Sequence, residues 1–190
     1  MNKDDLQGYY WQGDKIRLRT MRETDVEAKW EEYFDSKARQ LLENGIELPV
    51  KSKEAYEELF KKPRGSEIID LYIETLSGEF VGWVNIHSMD RKNGTFSCGG
   101  SIFKDYRGKG YAVEATVMVL RYCFHEMRFE KCNTECLSIN EESIQLHNKL
   151  RFIEEGRRRK SVYTEGQYHD MILFGLTRKE FDDYWQDKSR

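Results

Sequence analysis

The chain has 190 residues, with Lys+Arg 31 against Asp+Glu 34 for a net charge of -3. Charged residues reach 34%, yet 11 Tyr, 10 Phe and 4 Trp supply bulky apolar volume, so one compact domain burying roughly 70% of its unfolded surface is expected rather than a disordered chain. The balance of charge argues against a nucleic-acid partner, and no apolar run approaches the ~18 residues of a membrane span.

The polar start, Met1 to Asp5, has no apolar stretch behind it resembling a signal peptide. Lys15 to Thr20 alternates with Ile16 and Leu18 on one side, which is strand patterning. Thr24 and Asp25 are placed to cap a helix with apolar points Val26, Trp30, Tyr33 and Phe34. Asn44-Gly45 and Pro49 break the chain, and Ser52 to Ala55 opens a second helix with Tyr56, Leu59 and Phe60 on one side, closed by Pro63 and Gly65. Ile68 to Glu74 and Phe80 to His87 read as a hairpin across Ser77-Gly78; Asn93-Gly94 turns into a strand from Thr95 to Phe103. A long helix follows, with Val113, Val117, Leu120, Phe124 and Met127 on one stripe and Glu114, Arg121 and Arg128 free to reach solvent. Asn133 to Ile139 is a strand on which Cys132 and Cys136 share a face, Asn140 to Ser143 enters a short helix ending at Leu150, and strands begin at Phe152 and at Tyr168.

This order predicts an α/β (mixed α+β) domain with a mixed six- to seven-stranded sheet and helices on both faces. Cys98, Cys123, Cys132 and Cys136 match neither zinc nor disulfide spacings and read as reduced thiols of a cytoplasmic protein with no metal site. The run Arg157 to Lys160 reads as a solvated strand edge, with an RNA contact as the rival reading.

The segment Arg107-Gly108-Lys109-Gly110-Tyr111-Ala112 leaves a strand and opens the long helix. Helix starts carry N–H groups without intrahelical partners and partial positive charge, and glycines let a ligand approach the backbone closely. Arg107 and Lys109 add formal charge, so the turn suits a diphosphate; the dinucleotide fingerprint and the P-loop both fail on spacing.

Those six residues match the Arg/Gln-x-x-Gly-x-Gly/Ala signature of the GCN5-related N-acetyltransferase (GNAT) superfamily. The stretch from Asn140 to Phe152 resembles the family's second motif, and the ending through Tyr168 to Leu176 is similar to the ribosomal-protein and spermidine acetyltransferase branch. The resemblance spans roughly residues 14–180, leaving an N-terminal extension at 1–13 and a tail at 181–190. It implies splayed middle strands, acetyl-CoA as cosubstrate, and a diphosphate on the amides of Arg107, Gly108, Lys109, Gly110, Tyr111 and Ala112. It further implies a pantetheine arm bonded to the backbone near Gly100, Ile102 and Phe103, with Asn140 contacting that arm and Ser143 nearby. Asn140 and Ser143 equally suit a plain helix cap.

Two positions depart from the family pattern. His147 replaces the tyrosine that protonates the departing thiolate in many members, and Arg151 replaces a glycine. His147 is the candidate acid, against the reading of a pocket-wall histidine. Glu135 and His87 are conceivable proton acceptors whose facing direction the sequence leaves open, so no base is assigned, and His87, His125 and His169 read by default as structural or surface residues. The carboxylates Glu31, Glu32, Asp35, Glu43 and Glu47 suit a cationic acceptor or simply an exposed acidic face. The reaction implied is direct acetyl transfer to a primary amine of a small molecule or a protein N-terminus, within a homodimer as in many relatives; the alternative is an acyl-CoA-binding sensor without turnover.

Overall fold

The computed structural model describes residues 9–42, 45, 49–61 and 67–185. Asn44, Pro63, Gly65 and the carboxylates of Glu43 and Glu47 lie outside the described residues, as do the side chains of Leu59 and Phe60. The strands are β1 (Ile16–Arg19), β2 (Ile69–Thr75), β3 (Phe80–Asp90), β4 (Thr95–Ile102), β5 (Lys131–Leu137), β6 (Ile153–Thr164) and β7 (Gln167–Thr177). The helices are α1 (Asp25–Glu31), α2 (Ser36–Leu42), α3 (Lys53–Lys61), α4 (Tyr111–Arg121), α5 (Glu141–Lys149) and α6 (Arg178–Trp185). One sheet carries all seven strands in the order β1-β2-β3-β4-β5-β7-β6, antiparallel except for β4 beside β5.

Strand alternation sorts the sheet into two faces. Ile16, Leu18, Leu71, Ile73, Val84, Ile86, Phe96 and Cys132 share the back face, where α4 supplies Val117 and Leu120. Arg17, Arg19, Glu74 and Tyr72 lie in front, where Lys29 of α1 donates to the Tyr72 hydroxyl at 3.2 Å and sits over the Tyr72 and Trp83 rings. Arg19 forks onto Asp25 at 2.6 and 2.8 Å and reaches Glu74 at 2.9 Å, which satisfies buried charge on both sides.

Several elements differ from the sequence expectation. Thr24 makes no side-chain cap; Asp25, the first helical residue, accepts from Arg22 N–H instead. The first helix stops at Glu31, passes through a 3₁₀ turn (Glu32–Phe34) that leaves Phe34 exposed, and is followed by the unanticipated α2. Glu114 does not reach into solvent but accepts from Lys15 N–H at 3.0 Å, fastening the start of β1 to α4. The long helix ends in a π turn (Tyr122–Glu126), and the boundary drawn at residue 180 falls inside α6, whose Phe181 is buried against Phe124.

Candidate active site

β4 and β5 pair only at Thr95↔Lys131 and Phe96↔Cys132, then diverge. On its other side, β4 is held by β3 from Ser97 to Ile102. Phe103 N–H donates to Val81 C=O at 2.9 Å. Hydrogen bonds in an antiparallel ladder alternate, so the odd-numbered residues of β4 bond β3 while the main-chain groups of Cys98, Gly100 and Ile102 turn toward β5 across the gap. Gly100 and Ile102 therefore face the fork. Phe103 does not: its N–H is committed to β3 and its ring is buried against Phe80. A Cβ at Gly100 would run into the Trp83 carbonyl and come within 3.0 Å of Val84 Cα, so only glycine lets the two backbones approach this closely.

At the open end of the fork, a 3₁₀ turn (Lys104–Tyr106) leads into the glycine loop. Gly108 and Gly110 take φ values of 77° and 88°, left-handed geometry that other residues adopt at a cost. The α4 ladder begins with Glu114 N–H donating to Gly110 C=O at 3.2 Å, so helix geometry leaves the N–H groups of Tyr111, Ala112 and Val113 without intrahelical acceptors. The charge around this cradle differs from expectation. Arg107 folds back, donating to Ile102 C=O at 3.0 Å and to Asp35 at 2.9 Å. Lys109 Nζ lies 5.0 Å over the Tyr106 ring. Lys15, which sequence reasoning missed because it lies far off in the chain, donates from Nζ to Lys109 C=O at 3.1 Å and stands beside Gly110.

The second motif forms α5. Asn140 caps it, its side-chain oxygen accepting from Ser143 N–H at 3.1 Å. His147 is buried and stacked on Phe174 at 4.5 Å. Its Nδ1 lies 2.7 Å from Ser143 C=O, which can only accept, so Nδ1 carries the proton; Nε2, 2.7 Å from Thr134 Oγ1, then accepts from the hydroxyl. Burial pushes the ring below its ordinary pKa against the opposing Ser143 carbonyl, so it is neutral with both nitrogens engaged. That arrangement fits the pocket-wall histidine and offers no free proton to a departing sulfur. Arg151 itself adopts φ 69° where the family has glycine, with its guanidinium 4.4 Å over Tyr184 of α6.

In front of the fork, α2 reaches the β6–β7 hairpin: Gln40 Nε2 donates to Thr164 Oγ1 at 2.5 Å and Lys37 pairs with Glu165 at 3.0 Å. Burial raises the Glu32 pKa, opposed by the Lys104 N–H. The basic run lies on the edge strand β6, with Arg157 paired to Glu154 and Arg158 to Glu135.

Residues 15–153 match the family profile described as Acetyltransferase (GNAT) domain. The chain belongs to this GNAT acetyltransferase family. It is accordingly an acyltransferase, and the family's acetyl-CoA is its cosubstrate. It is 37% identical over 175 residues to the SPbeta prophage-derived uncharacterized N-acetyltransferase YokL of Bacillus subtilis, covering 91% of this chain and 96% of that one. Spermidine N(1)-acetyltransferase of Escherichia coli is 22% identical over 166 residues, covering 87% and 88% of the two chains. The fold superposes on spermidine N-acetyltransferase from Vibrio cholerae, solved in complex with CoA and spermine, with a TM-score of 0.77 at 18% identity, covering 87% of this chain and 97% of that one. No described helix is long and apolar enough to cross a membrane.

Proposed function

We propose that this GNAT enzyme transfers acetyl from acetyl-CoA directly to a primary amine of a small molecule within a ternary complex. The observation that carries the reading is the fork, whose β4 edge turns main-chain groups into the gap and whose open end meets the start of α4. The residues present fit the donor: the left-handed glycines and open N–H groups from Gly108 to Ala112 suit a diphosphate, with Lys15 and Lys109 supplying charge. The main chain of Gly100 and the N–H of Ile102, whose carbonyl Arg107 already takes, offer partners to the pantetheine arm, and Asn140 keeps its amide N–H₂ for the same arm because its cap uses only the oxygen. N–H groups of β4 facing the gap would polarise the thioester carbonyl. A thiolate with a pKa near about 8.5 leaves without His147 as acid. The half-buried Glu32 carboxyl favours a cationic acceptor, and the E. coli relative is named for spermidine.

Calorimetry with CoA and release of free thiol over a panel of amines test this. Binding with turnover on an amine is the expected result; CoA binding with no turnover on any acceptor favours the sensor reading. Lys15→Ala should weaken CoA several-fold, with the loss shrinking at high salt.

A further inference from the structure

On β3, His87 stands opposite Ser97, the first β4 residue beyond the last rung that joins β4 to β5. Asn85 stands opposite Gly99. Both belong to the front face, away from α4. Because Gly99 has no side chain, the space its Cβ would occupy is met by Asn85 Oδ1 at 3.6 Å and His87 Nε2 at 4.0 Å. Asn85 Oδ1 is buried with no hydrogen-bond partner. A buried acceptor left alone costs roughly 1–3 kcal/mol, so such a group is commonly completed by something bound. Two acceptors converging on one space beside the fork call for a ligand rich in N–H donors, and an alkylammonium has three.

We infer that His87 is the catalytic proton acceptor for the acceptor amine, with Asn85 holding a second N–H and Ser88 fixing the ring. This rests on the amine acetylation proposed above. Ser88 Oγ lies 3.0 Å from His87 Nδ1 and is placed there by a left-handed φ of 50° at the break in β3–β4 pairing. With Ser88 accepting the Nδ1 proton, Nε2 keeps its lone pair toward Gly99. Burial alone lowers the ring's pKa, leaving it unprotonated at neutral pH. The charged side chains sharing this face are Arg17 and Arg19 on β1, Lys29 of α1, Asp70 and Glu74 on β2, Lys131 and Glu135 on β5, and Glu155 and Arg158 on β6; none contributes to that shift, Lys131 pairs with Glu155 and Arg158 occupies Glu135, each at 2.8 Å.

The ammonium passes one proton through Nε2 to water and becomes the nucleophile. Its nitrogen bonds the acetyl carbon, the carbon–sulfur bond breaks with its electron pair on sulfur, and the second nitrogen proton ends on the thiolate.

The test compares wild type with His87→Gln, His87→Ala and Glu135→Gln on whichever amine the panel identifies, recording CoA affinity, kcat and KM against pH. Both His87 variants should bind CoA with unchanged affinity and lose about 10²-fold in kcat/KM near neutral pH. The gap should narrow as pH approaches the amine's own pKa near ~10.4, where solvent takes the proton. Glu135→Gln should stay within about threefold of wild type. Retention of wild-type kcat/KM by both His87 variants, or a 10²-fold loss in Glu135→Gln instead, overturns the assignment while leaving amine acetylation intact. Wild-type protein that binds CoA but acetylates no amine removes both together.

Discussion

Arg107 shows how a residue inside a recognisable motif is given its task by partners the motif does not contain. Its guanidinium joins the end of β4 to the turn before α2 through Ile102 C=O and Asp35. A double-mutant cycle of Arg107→Ala and Asp35→Ala, read by urea unfolding, should return a coupling of about 0.5–1 kcal/mol, because the pair is only partly screened. His147 makes a prediction in pH. The folded ring is held neutral, so the unfolded chain binds the extra proton and stability is lost as pH falls below the ordinary histidine value of about 6.5. His87 acts in the same sense. Thermal melts at about pH 7.5 and about pH 5 should show a smaller acid loss in His147→Gln than in wild type. Its kcat should stay within a few-fold of wild type, since no proton is taken from the ring.

At the scale of elements, Gly100 sets how closely β3 and β4 approach. Gly100→Ala should cost about 1–3 kcal/mol in denaturant unfolding, the range for a side chain forced into a filled space, because the added methyl meets the Trp83 carbonyl. The strands were legible in the sequence wherever apolar residues alternate, as in Ile16 and Leu18, and the Asn93-Gly94 turn marked its hairpin. The helix α2 was not, because its buried residues are Arg39 and Gln40, polar side chains that leave no apolar period to read. The glycine turn and the Asn140 cap were visible as local patterns. Lys15 beside the loop, Asp35 on Arg107 and Asn85 facing Gly99 were not, since each contact joins separate parts of the chain.

For the whole molecule, the last helix is part of the core. Phe181 is 1% exposed and packs on Phe124, while Tyr184 takes the Arg151 guanidinium. Phe181→Ala should lower unfolding stability by about 3–5 kcal/mol in denaturant titration, as expected for emptying a buried aromatic site. The contacts of Gln40 with Thr164 and Lys37 with Glu165 tie the two flanks together over the open end of the fork. α2 is thereby pinned at both ends, by Asp35 to Arg107 of the glycine loop and by Lys37 and Gln40 to the hairpin tip, so loosening one end would release the other flank as well.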